Sequence, residues 1–201
     1  MLSFIIVLAA WAVLQRQLAT ITSTAPSTAL APKRSSAHLT QLVTYADRLY
    51  SERKWLAAEK AYLSVLKADH KNVTAYIHLG VIYSTQKSME DAIECFAIAT
   101  RLRPTATSYQ NLALAYYDNH NYIKSIATYE KAIMFEPNAT RYIGLGNAQL
   151  KLHNLTAAIS DFERAVELDP TKRGLQKLAE AYDEAGRPAD AKAIRARLKN
   201  G

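Results

Sequence analysis

Five histidines, His38, His70, His78, His120 and His153, and one cysteine, Cys95, are the side chains best suited to ligate a metal or carry a proton. Their spacing builds no such site. The chain contains no HExxH, no cysteine cluster, no glycine-rich phosphate loop and no GxSxG. The sequence therefore predicts no catalytic residue, no metal site and no cofactor. A single cysteine rules out an intramolecular disulfide, and Cys95, following Glu94 in a helical pattern, reads as packed or exposed rather than reactive. The acids Glu130 and Glu163 stand beside Lys131 and Arg164 and read as solvated pairs. Three N-x-S/T patterns begin at Asn72, Asn138 and Asn154; all fall at expected turns, where asparagine is favoured on its own account.

The elements that would position these residues follow from composition and periodicity. The chain has 201 residues, 49% hydrophobic and 21% charged, enough to bury a sizeable core. Its net charge is +7, unevenly spread. Residues 1–38 hold Arg16, Lys33 and Arg34 and no acid; the 25 basic residues less these three leave 22 against 18 acids, interleaved in sign. A nucleic-acid surface needs a basic stripe with aromatic platforms, and none is visible.

The segment "LSFIIVLAAWAVL" (Leu2–Leu14) is uncharged and almost wholly apolar. A membrane span wants about 20 apolar residues and a signal-peptide core about 7–15, so length alone favours a cleaved leader. No Lys or Arg precedes the run, and the small-x-small sites ending at Ala25 and Ala31 are each followed by proline, both poor signs for cleavage. Continued to about residue 22, the helix reaches spanning length with Arg16 at the interface, and the basic residues that follow keep the body cytoplasmic by the positive-inside rule. We therefore expect a hydrophobic anchor helix over 1–22, with a secreted or periplasmic protein freed of its leader as the alternative. Residues 23–38, rich in Ser, Thr, Ala and Pro, read as a flexible linker.

From Leu39 the chain repeats itself. Small residues recur at Ala58, Ala92, Ser125, Ala158 and Ala191, and a second set precedes them at Ala46, Gly80, Ala113, Gly146 and Ala179. Aromatics follow the first set by four, at Tyr62, Phe96, Tyr129 and Phe162, with Arg195 in the fifth place. Pro104, Pro137 and Pro170 close three units. Within each unit apolar residues return every three or four positions, in two runs joined by short polar turns such as "DNHNY" and "KLHNL". Each unit is thus a helical hairpin. Small residues mark close helix crossings, aromatics fill the space beside them, and proline ends the helix. A hairpin of about 34 residues cannot bury its apolar face alone and must stack on its neighbours.

The runs "YIHLGVIY", "YQNLALAY" and "YIGLGNAQ", with the alanine, aromatic and proline positions after them, resemble the tetratricopeptide repeat. The resemblance covers 39–201 in about five units, 39–72, 73–105, 106–138, 139–171 and 172–201. It implies an all-α, right-handed superhelical solenoid of hairpins, here preceded by the hydrophobic helix and the linker. The first unit, lacking a closing proline, and the last, with Lys192, Arg195, Arg197 and Lys199 on its second helix, look like capping repeats.

The family lines a concave groove with the first helix of each unit. Carried onto this chain, that implies a partner-binding surface including Ile77, Val81, Gln110, Leu114, Tyr117, Ile143 and Asn147, with Thr74, Ser84, Thr107, Thr140 and Leu150 at the other inward positions of the middle units and the charged set Arg173, Gln176, Glu180 and Asp183 in the last. Packing between repeats is the competing role for Ile77, Val81 and Leu114. The expected partner is a protein or peptide segment, with the membrane reached through the N-terminal segment; no nucleic acid and no small-molecule substrate are expected. A non-catalytic subunit of an enzyme complex is a further alternative. The family's carboxylate clamp for chaperone tails is not met: Arg173 and Lys177 match one pair, but Val43, Ile77 and Gln110 stand where lysine is needed and Gly144 where asparagine is needed.

Overall fold

The computed structural model describes residues 36–200, which form ten α-helices and no strand. They are α1 (Ser36–Ser51), α2 (Trp55–Ala68), α3 (Val73–Thr85), α4 (Met89–Leu102), α5 (Ala106–Asp118), α6 (Tyr122–Phe135), α7 (Ala139–Lys151), α8 (Leu155–Leu168), α9 (Lys172–Glu184) and α10 (Pro188–Asn200). The expected anchor helix over 1–22 lies outside the described residues, as does the expected linker up to residue 35; α1 begins at Ser36, before the expected start of the first hairpin at 39. No helix among the described residues is long and apolar enough to cross a membrane.

One turn is used five times. The helices of each hairpin are joined through a residue with positive φ: Arg53, Lys87, His120, His153 and Gly186, at 56–70°. The next residue donates its backbone N–H to a carbonyl one turn back in the first helix. Those bonds are Lys54 to Leu49, Ser88 to Tyr83, Asn121 to Tyr116, Asn154 to Gln149 and Arg187 to Tyr182, at 2.8–3.0 Å. This is the Schellman closure, which satisfies helix-end carbonyls and fixes the turn angle. Only the last hairpin gives the left-handed position to glycine; elsewhere a side chain is held where L-residues are disfavoured by about 1–2 kcal/mol.

The hairpins are joined by a second local device. Asn72, Thr105, Asn138 and Thr171 accept backbone N–H bonds from Ala75, Ser108, Arg141 and Gly174 at 2.9–3.1 Å. These caps satisfy N–H groups that a starting helix leaves unpaired. Pro104, Pro137 and Pro170 directly precede three of them, so one helix is stopped and the next started across three residues. Two of the N-x-S/T asparagines, Asn72 and Asn138, are thus caps, while Asn154 bonds Gln149 at 2.9 Å.

Packing follows the small-residue register. Ala58, Ala92, Ser125, Ala158 and Ala191 are all fully buried. Tyr62 and Phe162 are also fully buried, and Phe96 and Tyr129 nearly so. A Cβ on Gly80 would come within 2.7 Å of Phe96, and one on Gly146 within 2.7 Å of Phe162, so these glycines give room to the rings. Each helix from α2 on packs against its successor, and α7 also touches α5 and α9, which ranges the first helices of hairpins three to five side by side.

Several residues take other roles than their types suggest. Glu163 accepts a bond from the Tyr182 hydroxyl, and Arg164 pairs with Glu167 at 2.7 Å instead. Arg195, in the aromatic position of the last hairpin, forms an ion pair with Asp183 of α9. Cys95 is buried, and that burial, with Glu94 and Asp91 adding to it, pushes its thiol up to about 12. Such a thiol is protonated and inert at neutral pH.

Candidate functional site

The sequence-assigned groove residues divide into two groups. Ile77 and Val81 of α3 are half-buried and pack against Ala92, Phe96, Leu112 and Ala115, between the second and third hairpins. Ile143 is 5% exposed and belongs to the core formed with Phe162, Leu175 and Leu178. These three act in packing. Gln110, Leu114 and Tyr117 of α5 and Asn147 of α7 instead share one cleft of about 350 Å³. Leu114 is 49% exposed there, an apolar side chain left facing outward. Thr140 and Arg173 line the same cleft.

Three further residues complete it: Asp118, Tyr129 and Gly144. Tyr129 belongs to α6, the second helix of its hairpin, yet it reaches the face of the first helices because α7 carries glycine at 144. A Cβ there would lie 2.6 Å from the Tyr129 hydroxyl. The one signal in the sequence is the extra glycine in "YIGLGNAQ". Glycine inside a helix costs about 0.5–1 kcal/mol against alanine, so two in one turn of α7 point to two close approaches. Gly146 receives Phe162, and Gly144 receives Tyr129.

The polar groups of the cleft are uncommitted. Among the described residues, Gln110, Asp118, Tyr129, Thr140, Asn147 and Arg173 make no hydrogen bond or ion pair. Tyr129 is the sharpest case, being only 5% exposed. Its burial, with the negative charge of Asp118 adding and that of Arg173 opposing, pushes the phenol up to about 12, so it is a hydrogen-bond donor at neutral pH. Desolvation also raises the Asp118 carboxyl, against the pull of Lys87 and His120. These groups reach solvent, so their donors and acceptors are open to a polar ligand.

The cleft does not end at α7. Tyr117 and Asn147 also line a second cavity of about 450 Å³, which continues past Leu150 and His153 to Lys177 and Glu180 of α9. Lys177 and Glu180 are paired with each other at 2.6 Å. The two cavities thus meet at Tyr117 and Asn147.

A second polar cluster has a structural role. The buried Tyr62 hydroxyl donates to Asp47 at 2.6 Å and lies 2.5 Å from His78 Nδ1, while Tyr50 stacks on the His78 ring at 4.4 Å. Burial lowers His78 below the usual imidazole value, partly offset by Asp47. Tyr62, Asp47 and His78 are bonded to one another, which ties α1, α2 and α3 together. Among the described residues no three His, Cys, Asp or Glu side chains gather as a metal site would require.

Tetratricopeptide-repeat models match residues 45–107, 106–138 and 139–172, an unbroken run over more than half of the chain. The chain belongs to the tetratricopeptide-repeat family. A stretch of 75 residues, 37% of this chain, is 35% identical to the probable UDP-N-acetylglucosamine–peptide N-acetylglucosaminyltransferase SPINDLY of Arabidopsis thaliana. The match spans only 8% of that protein's length. Among solved structures, MamA superposes with a TM-score of 0.72 at 25% identity, over 77% of this chain and 92% of MamA. YrrB, described as a TPR protein with an unusual peptide-binding site, superposes with a TM-score of 0.67 at 18% identity, over 79% of this chain and 84% of YrrB. These likenesses support an all-helical solenoid of the tetratricopeptide type, a fold whose members are protein-interaction scaffolds.

Proposed function

We propose that this protein is a non-catalytic scaffold that takes an extended segment of a partner protein along the cleft of α5, α7 and α9. One observation carries the reading. The cleft exposes an apolar side chain, Leu114, among polar groups with no partners of their own, which is the surface an extended peptide can satisfy with backbone and side chains alike. The peptide-binding site named for YrrB gives the same fold a precedent for that use. The apolar run Leu2–Leu14 supports tethering to a membrane, with the repeats on the cytoplasmic side because Arg16, Lys33 and Arg34 follow the run.

The test replaces Leu114 with Glu and Tyr117 with Ala together. Both lie in the cleft, Leu114 half-exposed, so the helices should form unchanged. Binding of a partner captured by the wild type should fall at least ten-fold, a loss of one anchor at about 1.4 kcal/mol or more. Equal binding by a folded variant would place the contact elsewhere. The second reading, a secreted or periplasmic adaptor, is favoured by the shortness of Leu2–Leu14. The intact mass of the protein from its own cells decides: a retained Met1 in the membrane fraction supports the anchor, and a soluble chain starting between about residues 20 and 32 supports the leader.

A further inference from the structure

The five turns inside the hairpins differ in chemistry from the four links between hairpins. Each turn runs from its residue of positive φ to the second residue of the following helix, over 53–56, 87–90, 120–123, 153–156 and 186–189. These stretches hold Arg53, Lys54, Lys87 and Arg187 against one acid, Glu90. The links 69–72, 103–105, 136–138 and 169–171 hold Lys71 and Arg103 against Asp69, Glu136 and Asp169. Hairpins reverse the chain and successive helices pack together, so the turns gather on one edge of the stack and the links on the other. The turn edge is also where apolar side chains stay outside. Leu56 and Ile123, at the same place in the first and third turns, are each 72% exposed. Leu152, just before the fourth turn, shares an open cavity of about 330 Å³ with Tyr122 and Ile123. Trp55 and Tyr122 stand half-buried beside Leu56 and Ile123. Lys54 pairs with Glu52 and Arg187 with Asp190, whereas Arg53, Lys87 and Lys151 make no ion pair among the described residues. The carboxyl of Asp118, near Lys87, is pushed up by burial and forms no ion pair with it.

We propose that this turn edge rests on an anionic lipid surface. The proposal builds on the membrane tethering read above and is carried by a different part of the chain. Tryptophan and tyrosine combine an apolar ring with a polar edge and suit the headgroup level, while aliphatic side chains enter the boundary below it. The unpaired cations Arg53, Lys87 and Lys151 are drawn to anionic headgroups, a pull that acts within about 8 Å at physiological salt. The acidic links lie at the other ends of the helices. A helix of 13 residues such as α3 spans about 20 Å at 1.5 Å per residue, so their repulsion is screened. Leu56 and Ile123 stand two hairpins apart with Lys87 between them in register, a spread that fits a broad flat surface rather than one inserted side chain. Glu90, at the register of Leu56 and Ile123, holds the contact shallow.

The chain carries two tryptophans, Trp11 in the apolar run and Trp55 on the turn edge, so each can be read alone. Full-length Trp11→Phe protein is reconstituted with phosphatidylcholine vesicles with and without phosphatidylglycerol, each containing lipid brominated near the headgroup end of its acyl chains. Trp55 emission should be quenched about two-fold or more in the anionic vesicles and stay level in the neutral ones. Leu56→Ser with Ile123→Ser should abolish that quenching, and so should Arg53→Asn with Lys87→Asn. The first pair is 72% exposed and asparagine tolerates the left-handed backbone of the second, so both variants retain the fold. Quenching of Trp55 that is equal in the two vesicles, or that survives both double substitutions, overturns the inference. Full-length Trp55→Phe protein reads Trp11 in the same vesicles. Quenching of Trp11 with none of Trp55 overturns the edge contact and leaves the tether in place. Quenching of neither overturns the edge contact and the tether together.

Discussion

Gly146→Ala separates two effects of opposite sign. In a helix interior the change should stabilise by about 1 kcal/mol, since alanine loses less backbone entropy than glycine. In α7 the new Cβ would lie 2.7 Å from Phe162 Cε1 and 2.9 Å from two other ring atoms. Ordinary carbon contacts are about 3.5–4.0 Å, so the ring must retreat by nearly 1 Å. Phe162 is fully buried among Ala158, Leu175, Leu178 and Tyr182, so its retreat must displace core neighbours. Overpacking of this kind costs about 1–3 kcal/mol, and the net expectation is a loss of about 0–2 kcal/mol. The assay is native-state hydrogen exchange, because a solenoid can open repeat by repeat and one global transition would blur the site. Protection should fall in α7, α8 and α9 and stay unchanged in α1 to α3, whose core around Tyr62 is separate. Gly146→Ala with Phe162→Leu should recover part of the loss, a coupling that distant sites do not show. A gain of about 1 kcal/mol for Gly146→Ala alone would refute the close-crossing argument on which the repeat register rests.

Asp161 of α8 makes no hydrogen bond or ion pair among the described residues; desolvation, with Glu130 adding to it, pushes its carboxyl up to about 7. A carboxyl raised in the folded state holds its proton longer than in the unfolded chain, so stability falls as pH rises from about 4 to about 7 and is level above. Asp161→Asn should remove that slope and be more stable than wild type by about 1–3 kcal/mol at pH 8, water screening the partly open site, with little difference at pH 4; chemical denaturation at the two pH values checks it, and parallel profiles would contradict it. His153→Gly should raise stability by about 0.5–1 kcal/mol, because residue 153 holds φ 59°, and the same turn already has glycine at Gly186. Hydrogen exchange in α7 and α8 reads that gain, and a loss there would show that the His153 side chain supports the turn.

The repeat was legible because its signals are local and redundant. Small residues at Ala58, Ala92, Ser125, Ala158 and Ala191 return at hairpin spacing, and every one is fully buried. Caps and prolines between hairpins carry their own chemistry in the residue types. The groove was less legible, because a position in a repeat tells which side of a helix a residue is on, and not how far a neighbour covers it. Ile143 shows this: by register it faces inward, but Leu175 and Leu178 of the next hairpin close over it. Tyr129 shows the reverse, a core aromatic by register whose hydroxyl enters the cleft through the gap at Gly144. The left-handed turn residues were hidden as well, since Arg53, Lys87, His120 and His153 do not favour that conformation and are held there by the bonds around them.

The central claim is that the partner lies along the cleft of α5, α7 and α9. The most direct test places a photo-crosslinking amino acid, one position at a time, in the full-length protein in its own cells. Position 114 lies in the cleft, and position 134 on α6 is 84% exposed in wild type and outside it. Crosslinked partner at 114 and none at 134 is the result the account predicts. Partner crosslinked at 134 and none at 114 would contradict it.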